Sequence, residues 1–538
     1  MTLKRLLLTG LTLLVTLLIT LELLSSLAKP QVQSQLELYQ TNLLLQASEW
    51  QGLKTEGSNP PVSQALLGDM SLQSAIEQYE QARASLKTTL QELPSPLSPS
   101  RLPPDLAESP AGMESNPSLS QVQPEPPANR VRANLEQQLD RLDLRLGLLY
   151  VKSNQVEPGL QLWQQLSKSP RREPQSAAIA TTAAVLNGLW STPPQLLPQA
   201  TEMQLQQVLT GWFRYQALSQ LYQLQQRQSA LLTLEAEEQQ QAELAFARLA
   251  LLGGLPALGC LLGIGVLLFW AGRSLLRRRH RKPSGLETAT DNPGESGLLQ
   301  PTLSVPWDGE MIWQVMVLWF TAFFLVSFIV VPIISRGLNL NPATLTGRSQ
   351  ALLALFDYSL LMVTGLSILF VSLRRFEPLR WFPLRLRGGW FWWGLGGYFA
   401  ALPLVILVSL LGQQVLREQG GGNPLLEIIL QSQDNLTVMI LFGMVAGLAP
   451  LFEETLFRGF FLTSLTRYLP AWGAIALSGV VFAIAHLSLA EILPLTVLGM
   501  MLGYVYLRSR NLLASMLLHS LWNSGSFLGL LLLSSGSQ

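Results

Sequence analysis

The feature that most constrains this 538-residue chain is a succession of long apolar runs between residues 249 and 534, each with at most one charged residue. Runs of about 20 apolar residues match the hydrocarbon core of a bilayer, where a helix satisfies its backbone hydrogen bonds internally. The sequence therefore predicts an all-α fold, a polytopic helical membrane bundle of about eight spans. The runs cover residues 249–271, 311–335, 351–373, 390–413, 436–452, 471–485, 492–507 and 512–534.

The N-terminus carries one further apolar segment, residues 6–21, which follows Lys4 and Arg5. This segment is longer than most signal-peptide cores and slightly short for a span. We interpret residues 1–29 as an uncleaved membrane anchor. The alternative is a signal peptide that is cleaved near Ala28.

Arginine and lysine residues cluster in residues 273–282 and again before the run at 390–413. Because such positively charged loops stay in the cytoplasm, their placement indicates orientation. The sequence predicts an integral, multi-pass membrane protein whose basic loops, including the linker 273–309, are cytoplasmic. Residues 30–245 are then extracytoplasmic, and their richness in Leu, Gln, Ala and Glu favours helix.

The extracytoplasmic region 30–245 holds ten prolines within residues 94–127, which is too many for packed structure and indicates a linker. Residues 146–166 resemble one helix-turn-helix unit of a tetratricopeptide array. A generic helical hairpin is favoured, because a solenoid needs about three repeats and a second repeat is not recognisable. We further predict a transmembrane span at residues 246–272 and the membrane bundle at residues 310–534.

The composition excludes several classes of protein. Charged residues make up 13% of the chain, with 36 Lys and Arg against 35 Asp and Glu, so no excess of positive charge attracts nucleic acid. The single cysteine, Cys260, rules out a disulfide framework and a thiolate zinc site.

Residues 435–538 carry only seven charged side chains, and three of these, Glu453, Glu454 and Arg458, lie together on one apolar segment. Ionisable residues at membrane depth are costly and are functional candidates for that reason. Glu454 and Arg458 are four residues apart, so a helix would pair them on one face. Glu453 is rotated by about 100° from Glu454 and is predicted to be a free carboxylate.

Two more pairs repeat the four-residue spacing on other apolar runs: Phe482 with His486, and His519 with Asn523. Together with the glutamates, these residues suit a hydrolytic reaction. A glutamate can take a proton from water and a histidine can orient that water, while a histidine and an Asn amide can donate hydrogen bonds to an oxyanion. A zinc ion held by Glu453, His486 and His519 is the alternative, because these residue types bind zinc.

Backbone features of the same runs are expected to shape this region. Pro450, three residues before Glu453, is predicted to bend its helix and to help admit water. Glycines four residues apart allow helices to approach closely. Such pairs are Gly443 with Gly447, Gly499 with Gly503, and Gly525 with Gly529.

The motifs E-E-x-x-x-R, F-x-x-x-H and H-x-x-x-N, in this order on separate apolar segments, resemble those of the CPBP family of intramembrane endopeptidases. This family is also called the type II CAAX prenyl protease, lysostaphin-resistance-protein-A-like or Abi family. The resemblance covers about 435–531. It implies hydrolysis of peptide bonds in membrane-associated protein or peptide substrates by a glutamate-activated water.

The resemblance also implies roles for individual residues. Glu453 would be the catalytic base, His486 its partner, and His519 with Asn523 the oxyanion site. The supporting residues would be Glu454, Arg458 and Phe482. Such enzymes are described both as metal-dependent and as metal-free; we expect no tightly bound metal or other cofactor here, with zinc as the alternative.

Two further functions compete with proteolysis or accompany it. A non-catalytic immunity or scaffold protein would use the same bundle for binding, but the intact motifs favour the enzyme. Residues 30–245 are expected to bind a protein partner outside the cytoplasm, which can coexist with proteolysis. The other expected partner is membrane lipid, and no nucleic acid is expected.

Overall fold

The computed structural model of the protein describes residues 2–28, 33–51, 72–92, 127–168, 174–195, 201–279, 305–338, 340, 345–416, 428–429 and 434–534. These residues are helical apart from short turns and connections, and none of them lies in a strand, which confirms the all-α prediction. Nearly all of the proline-rich segment 94–127 and most of the linker 273–309 lie outside the described residues.

The described residues fold into two compact units, one from 1–36 with 247–535 and the other from 37–246. We number the longer helices in chain order. They are α1 (Leu3–Ala28), α2 (Gln33–Ala47), α3 (Leu72–Glu92), α4 (Pro127–Lys152), α5 (Val156–Lys168), α6 (Pro174–Trp190), α7 (Thr201–Val208), α8 (Gly211–Leu224), α9 (Gln228–Arg279), α10 (Gly309–Gly337), α11 (Gly347–Leu373), α12 (Trp390–Leu416), α13 (Asn435–Leu465), α14 (Ala471–Ile484), α15 (Ile492–Ser509) and α16 (Leu512–Ser534).

The unit of residues 37–246 has a core of aromatic and aliphatic side chains centred on Trp163, which is fully buried. The indole of Trp163 lies against α4 because Gly147 has no side chain: a Cβ there would lie 2.3 Å from the ring. The indole N–H donates to the carbonyl of Leu144 at 3.1 Å. Asn154 adopts a φ of +65° in the turn between α4 and α5, which allows these helices to pack as a hairpin.

The other unit is built from helices that are apolar enough to cross a membrane. Among the described residues, eight helices have this length and composition: α1, α9, α10, α11, α12, α13, α15 and α16. Helix α14 is also apolar but has only 14 residues. These helices confirm a polytopic bundle, in which the predicted run at 471–485 forms a helix shorter than the others.

Helix α1 contacts the bundle along one face. Arg5 forms an ion pair with Glu310 at 2.8 Å. The hydroxyl of Thr12 accepts a hydrogen bond from the Trp313 indole at 2.8 Å. Near the far end of α1, the Ser26 hydroxyl accepts a bond from the backbone N–H of Leu489 at 3.2 Å. That α1 is an anchor rather than a cleaved signal stays a prediction. If α1 is retained, these contacts make it part of the packed bundle.

Helix α13 lies at the centre of this unit, and every residue from Leu456 to Leu462 is buried. It is not a regular α-helix, because π-helical turns at Met444–Leu448 and Thr455–Leu462 flank the six-residue α segment Ala449–Glu454. π-Helical turns of this kind occur often at functional sites. The acidic motif therefore lies in the middle of a helix that continues well beyond the predicted run at 436–452.

The first π-helical turn leaves two carbonyl groups without their usual helical donors. The N–H of Ala449 bonds to Met444 rather than to Val445, and Pro450 has no N–H for the carbonyl of Ala446. Side chains of α16 replace both donors. The Ser520 hydroxyl donates to Ala446 at 2.6 Å, and the Asn523 amide donates to Val445 at 2.8 Å.

Close helix packing occurs at one of the three predicted glycine pairs. A Cβ at Gly499 would lie 2.8 Å from the Cα of Gly479, so α14 and α15 approach at backbone distance there. A Cβ at Gly443 would meet no atom within 4 Å, and the same holds for its partner Gly447. A Cβ at Gly525 would meet only a tyrosine hydroxyl, at 3.1 Å. Spacing alone therefore failed to predict which glycines lie at a helix crossing.

We predict that Gly499→Ala destabilises the bundle by about 1–3 kcal/mol, because the new methyl group meets backbone atoms that cannot rotate away. The matched control is Gly443→Ala, where the space is open and the change should be neutral or slightly stabilising. Thermal unfolding of both variants in detergent tests the difference. Equal melting temperatures would contradict the packing described here.

Candidate active site

The Glu454–Arg458 pair forms as the four-residue spacing predicts. Arg458 Nη1 lies 2.7 Å from Glu454 Oε1, and both side chains are fully buried. Arg458 Nη2 also donates to the carbonyl of Gly499 at 3.1 Å, and the guanidinium carbon lies 4.3 Å from the centre of the Phe482 ring. One buried cation therefore joins α13 to α15 and to α14.

His519 is positioned by the same glutamate. Its Nδ1 lies 2.9 Å from Glu454 Oε1, while its Nε2 lies 3.9 Å from Glu453 Oε2. Because an ionised carboxylate only accepts hydrogen bonds, the Nδ1 of His519 carries a proton in this contact. Nε2 is thus directed toward the second glutamate, and α16 brings its histidine between the two acids.

Glu453 has a different environment from Glu454, as the helix geometry predicts. Its Oε1 accepts a hydrogen bond from the Tyr358 hydroxyl at 2.9 Å. Its Oε2 is buried and has no hydrogen-bond donor among the described residues. Unlike Glu454, it forms no ion pair with Arg458 in the described structure.

Phe482 lies between the three motif segments. Its buried ring meets the rings of His486 and His519 edge-on, with centroid distances of 4.9 Å and 5.8 Å. It also meets the ring of Phe457 on α13 at 5.3 Å. A larger or polar side chain at this position would therefore disturb all three motifs.

His486 lies just beyond α14, which ends at Ile484, rather than on the helix as the spacing suggests. Leu487 adopts a φ of +54°, a left-handed conformation that turns the chain away from the helix axis. The Nδ1 of His486 nevertheless lies 2.9 Å from the Phe482 carbonyl. Since a carbonyl cannot donate, Nδ1 carries the proton, and in the neutral ring Nε2 is an acceptor.

Asn523 shares a face of α16 with His519, but its amide is engaged in packing. One of its N–H groups donates to the Val445 carbonyl, which leaves the second for any substrate. The sequence did not indicate Tyr358, which lies on α11 outside the three motifs, or Ser520 on α16. Ser520 follows a histidine and Tyr358 lies in an apolar run. Neither position belongs to a sequence pattern that would mark it as part of a functional site.

The structure does not assemble the donors predicted for a metal ion. Among the described residues, no group of three or more His, Cys, Asp and Glu side chains is arranged to hold one. In particular, Glu453, His486 and His519 do not form such a group as placed. The Nδ1 contacts of the two histidines do not count against a metal, because a zinc-bound histidine also holds its second ring nitrogen in such a contact. The described geometry therefore shows no three-ligand zinc site, and whether the reaction uses a metal stays a prediction.

We predict that Arg458→Ala lowers the free energy of unfolding by about 3–5 kcal/mol, because Glu454 would be left as an uncompensated buried charge. The matched control is Arg348→Ala, which breaks the exposed ion pair with Asp434 and should lower the free energy of unfolding far less, because solvent screens that pair. Unfolding in mixed micelles gives both values. A cost for Arg458→Ala as small as that of the control would show that the buried pair is dispensable.

The comparisons with known proteins agree with the motifs. A model of the type II CAAX prenyl endopeptidase Rce1-like family matches residues 435–525, which contain all three motifs. Searches of curated proteins and of solved structures found no match. Together with the eight apolar helices, the match identifies an integral, multi-pass membrane protein. Its residues 435–525 form a domain of the type II CAAX prenyl endopeptidase Rce1-like family, a family of membrane proteases.

Proposed function

We propose that this protein is an intramembrane endopeptidase in which Glu453 activates a water molecule to hydrolyse a peptide bond. One observation carries this proposal: Glu453 Oε2 is buried without a donor, while Oε1 is already hydrogen-bonded. A buried carboxylate oxygen without a donor keeps an unused acceptor, and we propose that a water molecule that enters the site bonds to it. The neighbouring Glu454 also has a buried Oε2 without a donor among the described residues. We assign it a supporting role because Arg458 pairs with its charge and His519 also contacts its Oε1.

The reaction follows from these acceptors and donors. The water donates one proton to Glu453 Oε2 as its oxygen attacks the carbonyl carbon of the substrate. His486, with Nδ1–H held by Phe482, presents Nε2 as an acceptor that orients the water. Breakage of the C–N bond then transfers the proton from Glu453 to the leaving amine, which regenerates the carboxylate.

The oxyanion formed by the attack requires hydrogen-bond donors. We propose His519 for this role, with Nδ1 held by Glu454 and Nε2 directed toward the oxyanion. His519 Nε2 lies 3.9 Å from Glu453 Oε2, so the proposed donor and the proposed base are close enough to act on the same carbonyl group. Asn523 is the second proposed donor, through the N–H that does not bond Val445.

The substrates proposed are membrane-associated proteins or peptides, as in the family. We retain the topology in which basic loops are cytoplasmic and residues 30–245 extracytoplasmic, with the latter binding a protein partner. The packed core of residues 37–246 is compatible with such a role, because it gives the region a defined surface.

We predict that Glu453→Gln abolishes cleavage while the protein still folds, because the amide cannot accept a proton from water but has nearly the same shape. Membranes from cells that express wild type and variant are compared by mass spectrometry of peptide N-termini. Products present with wild type should be missing with Glu453→Gln. The control is Glu310→Gln, which alters an acid that pairs with Lys4 and Arg5.

If Glu453→Gln yields the same products as wild type, Glu453 is not the base. If deletion of the protein changes the cell but Glu453→Gln and His486→Ala do not, the bundle acts as a binding protein or scaffold. That second outcome would favour the non-catalytic alternative over proteolysis.

We also predict that treatment with a zinc chelator leaves the cleavage rate unchanged within about a factor of 2, because Glu453, His486 and His519 do not form a metal-binding group. The rate is measured on detergent-purified protein before and after dialysis, beside a zinc protease in the same buffer. A loss of activity that added zinc restores would contradict the metal-free mechanism.

A further inference from the structure

We infer that Tyr358 on α11 is a positioning residue that determines which oxygen of Glu453 acts as the base. This inference rests on the proposed function, since it concerns the same carboxylate. Tyr358 lies 77 residues before residue 435, where the family match begins, so the protease domain takes part of its site from another segment of the chain.

The contact is direct and specific. The Tyr358 hydroxyl donates to Glu453 Oε1 at 2.9 Å, and no other donor to Glu453 is found among the described residues. Because the hydroxyl donates to Oε1, Oε2 stays available to accept a proton from the water. Tyr358 thereby fixes the rotation of the carboxylate, with Oε2 directed toward His519 Nε2.

Packing holds the tyrosine in this place. Its ring meets the ring of Phe452, the residue before Glu453, nearly at right angles with a centroid distance of 6.3 Å. Two helical turns further along α11, a Cβ at Gly365 would lie 2.9 Å from the Phe452 ring. Residues 358 and 365 lie two turns apart on one face of α11. This face therefore packs against Phe452 at both positions, directly beside the acidic motif.

The hydrogen bond has a chemical consequence beyond packing. An ionised carboxylate in an apolar site is unfavourable unless donors compensate its charge. Tyr358 supplies a neutral donor, which stabilises the carboxylate without forming an ion pair that would prevent it from accepting a proton. The reacting oxygen keeps its acceptor capacity, because the tyrosine engages only the other one.

The test uses full-length protein in detergent and a synthetic peptide that spans a cleavage site found in the membrane comparison, with a fluorophore and a quencher on either side of the scissile bond. Tyr358→Phe removes one oxygen atom and should lower kcat by about 10-fold or more, as expected for loss of a hydrogen bond to a charged group. KM and the melting temperature should stay close to those of wild type.

The matched control is Tyr506→Phe. Tyr506 is a buried bundle tyrosine whose hydroxyl contacts Thr463 at 3.2 Å, and its loss should leave kcat unchanged. A kcat for Tyr358→Phe equal to that of wild type would overturn the inference. The inference would also be overturned if Tyr358→Phe lowers kcat and also lowers the melting temperature by more than Tyr506→Phe does. The role of Tyr358 would then be structural.

Glu453→Gln is measured in the same assay to separate the two proposals. If Glu453→Gln is inactive and Tyr358→Phe is fully active, the proposal that Glu453 is the base is kept and the positioning role of Tyr358 is contradicted. If Glu453→Gln is as active as wild type, both proposals fail together.

Discussion

The arrangement of the site depends on one buried cation. Burying a guanidinium is costly unless its hydrogen bonds and charge are compensated. For Arg458 the compensation comes from the Glu454 carboxylate, the Gly499 carbonyl and the face of Phe482. These groups lie on three different helices, and Glu454 in turn holds His519 on a fourth. A single unfavourable charge thus brings the segments of all three motifs together.

The backbone of α13 is the second constraint. Its π-helical turns lie on both sides of the short α segment that carries the glutamates, and two carbonyl groups near Pro450 lose their helical donors. Ser520 and Asn523 on α16 supply the missing donors. The helix that carries His519 is therefore attached to α13 both through the ion-pair cluster and through the backbone. The H-x-x-x-N spacing therefore serves that attachment, in addition to the chemistry proposed for it.

The sequence predicted what depends on local pattern. Hydropathy identified the spans, and the four-residue spacing identified the Glu454–Arg458 pair, because both follow from the geometry of a helix. The position of His486 beyond α14 depends on the left-handed φ of Leu487, which apolar sequence does not encode. Tyr358 was missed for a similar reason, since its meeting with Glu453 is a tertiary contact between residues 95 apart.

Adjacent glutamates acquire different properties because a helix turns between them. Glu454 faces the guanidinium and is neutralised by it, which suits a group that must keep a histidine in place. Glu453 faces α11 and accepts its hydrogen bond from a neutral hydroxyl, with His519 Nε2 at 3.9 Å, so its charge is stabilised without an ion pair to Arg458. An acid that must accept and release a proton needs this intermediate environment: an ion pair would hold its charge too firmly, and an apolar site without donors would not maintain it. The consecutive pair E-E provides both environments within one helical turn.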